Sequence, residues 1–359
     1  MGRPASLSVI AAKRTALTII LTVVLFQLRW LPLLGADAPY MVNYIETDAF
    51  PLFYRSLLTL WIHRAVYVAL SPLGFDGWSA ISVSSALAGA GALQALWAMK
   101  PDVRFLALNV LCGSFLVLVG HVENYAWVNF FLLASMFGFQ CWFENRAPVW
   151  PAMVCFVLAC LAHMLALFYI PAIAYALYGK RRFQPLEILL PVLVFVFVVI
   201  ACSLSLELHG TELGLERLMP LFSAWAPNHF DGLTLFSWEH VKILAFFHYH
   251  AAYLALPIHY GPHVWEDAWV VGVPVELILL FILRKRIDTP YLRFLLVCSA
   301  CGLFWTVIWH PDWGPHDWDL FSQFGIPLHV LLGLLILKGN QDGSEIPHEP
   351  EPETPAAVA

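Results

Sequence analysis

The sequence predicts an all-α protein, a polytopic bundle of about ten membrane-spanning helices, and three observations predict it. Sixty per cent of the 359 residues are apolar, only 12% are charged, and the mean hydropathy is +0.73. A water-soluble domain carries roughly twice that share of charge. Apolar runs of about 20 residues recur along the chain, each long enough to cross ~30 Å of hydrocarbon. Charge is also sorted: of the nineteen Lys and Arg residues, all but Arg29, Arg55, Arg64, Arg217 and Lys242 fall in the terminal segments and alternate gaps of one orientation. Loops rich in Lys and Arg stay in the cytoplasm, so both termini are expected there.

The first span is expected at 15–34, behind Arg3, Lys13 and Arg14. It resembles a secretory signal, but it is longer than a signal core, contains Arg29 and Trp30, and lacks a small-x-small cleavage site. Further spans are expected at 78–99, 105–120, 125–143, 148–162, 164–179, 186–206, 265–283, 290–309 and 319–337. The fifth and sixth are short and meet at His163, which predicts either a hairpin stopping short of the outer surface or one uninterrupted helix. The apolar segment 241–257 would, as a span, export the cluster Arg284 to Arg286, so it is read as re-entrant or interfacial. Residues 1–338 thus form one transmembrane domain. The Pro- and Glu-rich tail 339–359 is expected to be disordered and cytoplasmic.

All seven cysteines lie inside apolar runs, which implies small core residues rather than a disulfide framework. The net charge of −6 sums two segregated signs and gives no reason to expect a nucleic-acid partner. There is no phosphate-cradling glycine loop and no G-x-S-x-G, so a donor substrate is expected to be lipid-borne rather than a soluble nucleotide.

Chemistry is expected on the outer face, in the loops 36–77, 207–263 and 310–318 and the corner His121 to Tyr125, which together hold most of the histidines and many of the acids. In an extended first loop, Glu46 and Asp48 would project to one side, one as a base and the other orienting an acceptor or a metal; a merely hydrated loop is the alternative. The stretch 53–70 reads as an in-plane amphipathic helix whose Arg55 and Arg64 reach lipid phosphates or simply anchor it. Glu123, near the membrane boundary, needs a partner such as Arg29 or a histidine, unless it serves the dipole of the fourth span. His121 and Tyr125 flank it, and His163 is either a satisfied core histidine or a site residue. His316, Asp317 and Asp319, framed by Trp309, Trp313 and Trp318, suit phosphate or a hard cation, but their spacing is no zinc pattern and no metal ligands are assigned. A divalent cation is the one cofactor left open.

The acidic pair Glu46-x-Asp48 in a first outer loop, the in-plane helix after it, about ten spans and short broken helices resemble the GT-C superfamily of integral-membrane glycosyltransferases. The order HVENY (121–125), His163 and Pro171 in LAHMLALFYIP, then HDWDLF (316–321), is similar to uncharacterised bacterial membrane proteins grouped near that superfamily. The resemblance implies a GT-C-like bundle in a bacterial inner membrane. It implies transfer of a sugar from a polyprenyl-phosphate-linked donor to a lipid, glycan or protein acceptor on the outer face. It makes Asp48 or Glu46 the catalytic base. Glu123 joins them by position, with Arg55, Arg64, His121, Tyr125, His163, His316, Asp317 and Asp319 around the substrate. No large C-terminal domain follows, so acceptor recognition would fall to 207–263. The rival is a transporter or proton-coupled carrier, since boundary acids and histidines also build relays. A scaffold within a membrane complex is the third reading.

Overall fold

The computed structural model describes residues 7–30, 38–47, 56–180, 185–205, 275–308 and 322–338, with the single residues 238 and 241. These residues form thirteen α-helices and no strand. In chain order they are α1 (Leu7–Gln27), α2 (Ala38–Thr47), α3 (Leu57–Leu70), α4 (Gly77–Met99), α5 (Val103–Val110), α6 (Gly113–Leu116) and α7 (Tyr125–Phe143). There follow α8 (Trp150–Ala162), α9 (Ile170–Lys180), α10 (Pro185–Ser205), α11 (Val275–Leu283), α12 (Pro290–Ile308) and α13 (Ser322–Lys338).

Two helices, α4 and α7, are long and apolar enough to cross a membrane. At 1.5 Å per residue they measure about 35 and 29 Å. The sequence expects them at almost these bounds because each is an apolar run between polar residues. Asp76 is the N-cap of α4, and its Oδ1 accepts from Ser79 N at 2.8 Å. Hydrogen bonds from Ser79, side chain and backbone, hold the Asp76 carboxyl below the usual carboxylate range. A lowered carboxyl supports folding above that range and loses the contribution as pH falls through it. Asp76→Ala is therefore expected to cost about 1 kcal/mol near neutral pH. Thermal unfolding of the detergent-solubilised protein checks this, and the loss should shrink in acid.

α4 forms the centre of the fold because it is built from small residues. Ala80, Ser82, Ser84, Ser85, Ala86, Ala88, Gly89, Ala90 and Ala92 are all buried, so neighbouring backbones approach closely. α1, α3 and α7 pack around it. α7 meets α8 just as closely: a Cβ on Gly138 would lie 2.8 Å from Ala152 Cα, and Ser135 Oγ donates to Ala152 O at 2.9 Å.

The hairpin expectation at His163 is met in form. α8 ends at His163, whose backbone is extended (φ −158°, ψ 132°), and a 3₁₀ segment, Met164–Tyr169, leads into α9. The uninterrupted helix is excluded. The third expected span, 105–120, needs correction. α5 stops at Val110, Cys112 is extended (φ −95°, ψ 153°), α6 lasts four residues, and irregular chain runs on to Asn124. Hydropathy cannot foresee how the chain runs on into the corner, because His121 O and Glu123 O there are taken up by Ser85 and His63, distant in sequence. The other reversal is α2: the segment around Glu46 is helical, with Ala38, Met41, Val42 and Ile45 buried at 3.6-residue spacing. Of the expected eighth span only 275–283 is described. The segment 241–257, apart from Val241, and the tail 339–359 lie outside the described residues.

Most of the described basic residues, Arg29 and Arg64 excepted, gather at one end of the bundle. Gln140 Nε2 donates to Met99 O and to Glu144 Oε1; Arg146 pairs with Glu144, and Lys180 Nζ donates to Trp142 O. Glu187 Oε1 accepts from Val149 N, and Lys338 pairs with Asp288. The C-termini of α4, α7 and α9 and the N-termini of α8 and α10 thus meet there.

Candidate functional site

At the opposite end, the buried face of α3, the middle of α4, the corner before α7 and the tip of α8 converge. His63, fully buried on α3, is their junction. Its Nε2 faces Glu123 O at 3.2 Å, and its Nδ1 faces Ser84 Oγ at 2.8 Å. A carbonyl only accepts, so Nε2 carries the hydrogen and Nδ1 accepts from the Ser84 hydroxyl. Ser84 Oγ in turn accepts from Trp127 Nε1 at 2.9 Å. The donor order is therefore fixed: Trp127 to Ser84, Ser84 to His63, His63 to Glu123 O. Burial pushes the His63 imidazole down to about 4, against the raising effect of its bond to Glu123, so it is neutral at physiological pH.

Neighbouring bonds tie the same corner. Ser85 Oγ donates to His121 O at 2.7 Å, and Thr59 Oγ1 donates to Ala162 O at 2.8 Å, joining α3 to the end of α8. The His163 ring lies 5.3 Å from that of Tyr125, and its Nδ1 accepts from Leu165 N at 3.2 Å. His163 thus caps the 3₁₀ segment. Gly120 adopts φ +73°, and a Cβ there would lie 2.7 Å from Arg29 Cβ. Only glycine fits this turn without strain. A cavity of about 190 Å³ opens beside it, between Arg29, the first turns of α4 (Trp78, Ser79, Ser82) and His121.

The expected site residues divide three ways. Glu123, His121, Tyr125 and His163 are brought together, and all four are buried. Glu123 lies just before Asn124, the residue preceding α7. Of the partners expected for it, a histidine reaches it through its main-chain carbonyl. Arg29 lies at the corner, but its Nη1 donates to Phe26 O at 3.0 Å and its guanidinium covers the Phe26 ring.

Glu46 and Arg64 sit to one side, on α2 and α3. The expectation of an extended segment is corrected at Glu46, which lies on α2; Asp48 lies outside the described residues. Glu46 Oε1 instead accepts from Gly77 N at 2.8 Å, at the positive end of α4. A Cβ on Gly77 would lie 2.9 Å from that oxygen, so the glycine permits the approach. Arg64 Nη1 donates to Ile45 O at 2.5 Å, near the C-terminus of α2, and its guanidinium lies 5.6 Å from the Tyr67 ring. This bond ties α3 to α2, where lipid phosphate was the expected contact.

Asp48, Arg55, His316, Asp317 and Asp319 lie outside the described residues. So does the acceptor loop 207–263, apart from Trp238 and Val241. Among the described residues no group of three His, Cys, Asp or Glu side chains could hold a metal ion.

Sequence reasoning placed His63 on an amphipathic helix but missed its role as junction, and it missed Thr59, Ser84, Ser85, Trp127 and Asp76. One signal was present: serines at 82, 84 and 85 interrupt an otherwise Ala- and Gly-rich helix. In an apolar run, hydroxyls that recur midway along a helix commonly bond a neighbouring segment. Chemically, the His63 chain is closed, since each of its groups already has its partner. Of the described residues expected to act as a base, Glu46 is exposed and Glu123 is buried. Comparison of the chain with family models, with curated proteins and with solved structures gives no match in any of the three.

Proposed function

We propose that the chain is a multi-pass membrane glycosyltransferase, moving a sugar from a polyprenyl-phosphate-linked donor to a lipid, glycan or protein acceptor at the end opposite the basic cluster. The observation that carries this reading is the convergence of α2, α3, the 121–125 corner and the His163 tip at that end, where Glu46 and Glu123 lie. A leaving sugar phosphate gathers negative charge, which a cation stabilises, while a carboxylate removes the acceptor's hydroxyl proton. Asp48 is the proposed base, with Glu46 one residue from it across Thr47. Arg55, His316, Asp317 and Asp319 are the proposed contacts to donor and acceptor, and a divalent cation could serve the leaving phosphate. The proposed setting is a bacterial inner membrane, with both termini cytoplasmic.

Membranes containing the full chain, supplied with a radiolabelled polyprenyl-phosphate sugar, provide the test. Asp48→Asn is expected to lower transfer by at least about 100-fold, the usual worth of a positioned base, while the protein remains equally abundant. Equal transfer by wild type and variant would remove Asp48 from the mechanism. Uptake into sealed vesicles with no product would instead favour the second reading, a proton-coupled carrier. One specific observation favours that reading: a buried His–Glu pair beside a broken helix.

A further inference from the structure

Far from the polar corner, α11 and α13 bring two ionisable side chains together inside the bundle. His329 Nε2 lies 3.3 Å from Glu276 Oε1, and the residues are 8% and 7% exposed. Two helices and the break after α5 place polar groups near this level. Glu276 lies eight residues before Arg284 and His329 nine before Lys338, each about 12 to 14 Å along a helix axis from the basic end, and Cys112 follows directly on α5, which starts at that end. In the multi-span reading, on which this inference rests, that depth is near the middle of ~30 Å of hydrocarbon.

The third contributor is the break between α5 and α6. Cys112 Sγ donates to Asn109 O at 2.9 Å, and Asn109 and Cys112 line, with His329, a cavity of about 10 Å³. That is close to the smallest space that holds one water. The buried His329 Nδ1, on a ring that lines the cavity, makes no well-formed hydrogen bond among the described residues, and the Cys112 thiol is a polar neighbour of the ring. α13 is pressed against α6 here, since a Cβ on Gly325 would meet Ser114 Oγ and lie 3.2 Å from His329 Cε1.

Burying an ion pair in hydrocarbon costs several kcal/mol per ion before mutual attraction offsets it. An apolar pair of similar volume would hold α11 against α13 at no such cost. A mid-membrane ionisable pair is by default a functional site, and a discontinuous helix at the same depth is a recurrent element of such sites. We propose that Glu276 and His329 form an exchangeable proton-binding site, reached through a single water between His329 Nδ1 and the α5–α6 break. Uptake adds one proton to the Glu276 carboxylate beside the imidazolium; release removes one from the imidazolium and leaves neutral imidazole beside the carboxylate. No other bond changes.

The other titratable groups around the pair are few. Of the described elements packed against α13, the α5–α6 break brings Cys112, and α12 carries Tyr291, Arg293, Cys298 and Cys301. α5 carries Arg104 at its start, and α7 carries Tyr125 and Cys141 towards its two ends. Arg286, which donates to Leu335 O at 3.0 Å, and the Asp288 and Lys338 pair belong to the basic end.

The test is infrared difference spectroscopy of the full chain in lipid nanodiscs, stepped through pH in H₂O and D₂O. The expected result is a carboxyl stretch that titrates with pH and shifts in D₂O. It is lost in Glu276→Gln, and its midpoint moves by at least one pH unit in His329→Gln, a tenfold change in proton concentration. If Glu276→Gln does not fold, Glu276→Asp, whose band moves in frequency without disappearing, makes the assignment. A carboxyl signal that is silent over the pH range in which the protein stays folded overturns the proposal. So does a band that survives Glu276→Gln, one that D₂O leaves in place, or an unmoved midpoint in His329→Gln. The readout needs no substrate, so it can fail or succeed independently of the transferase assay.

Discussion

Gly89→Val is expected to leave little folded protein, because the corner before α7 lies directly against this glycine. A Cβ at position 89 would stand 2.2 Å from Leu118 O and 2.8 Å from Leu25 Cδ1. The first neighbour is backbone, which no rotamer change can move. Room for even Gly89→Ala would require α4 to part from the backbone at Leu118, while the Leu25 side chain could turn aside. Overpacking of a tight site costs about 1–3 kcal/mol and more where backbone must shift, so the valine variant should exceed ~4 kcal/mol. Gly179→Ala is the control: this glycine is exposed on α9 and a Cβ there meets nothing within 4 Å. That change should stabilise by about 0.5–1 kcal/mol, as alanine loses less entropy in a helix. Yield of monodisperse protein after detergent extraction, with melting temperature, distinguishes the two. A Gly89→Val variant that melts with the wild type would mean that α4 and the corner do not touch.

Removing the imidazole at position 63 should be nearly as damaging. In His63→Leu, the Ser84 hydroxyl loses its acceptor and Glu123 O its donor, both in buried surroundings. A buried polar group without its partner costs about 1–3 kcal/mol, so the pair predicts roughly 3–5 kcal/mol. The same junction predicts an acid limb. His63 lies on α3, which is not one of the two helices long and apolar enough to cross a membrane, and burial lowers its folded-state value to about 4. With the unfolded value near 6.5, its stabilisation is fully present above ~6.5 and is lost as pH falls towards 4, by up to about 3 kcal/mol. Melting temperature measured from pH 7 to 4 should fall for the wild type. In His63→Gln the fall should be smaller, from a lower start. Parallel curves would show that His63 does not titrate in this range.

The two ends of the bundle differed in how far they could be read beforehand. The bounds of α4 and α7 and the grouping of Lys and Arg depend on runs of hydropathy, a local cap and charge sorting, all written in neighbouring residues. The polar end depends on pairings across the chain. His63 bonds positions 21 and 60 residues away, and Thr59 bonds a carbonyl 103 residues away. The 105–120 run is apolar enough to be a span, yet Ser85 and His63 accommodate the carbonyls of 121 and 123, so the helix need not continue to satisfy them. Glu46 was misread for the opposite reason. Its helical pattern is local, at Ala38, Met41, Val42 and Ile45, but the spacing of Glu46 and Asp48 is also that of an extended segment.

Composition and charge order by themselves determined that this chain is helical, apolar and two-ended, because those properties follow from each residue's own transfer free energy and charge. Only the tertiary structure decided which carbonyls the corner leaves for side chains, which tautomer His63 adopts, and that Glu276 and His329 lie within 3.3 Å of each other. Those outcomes depend on hydrogen-bond satisfaction between segments distant in sequence, where burial makes each unpaired group costly and so selects a single arrangement.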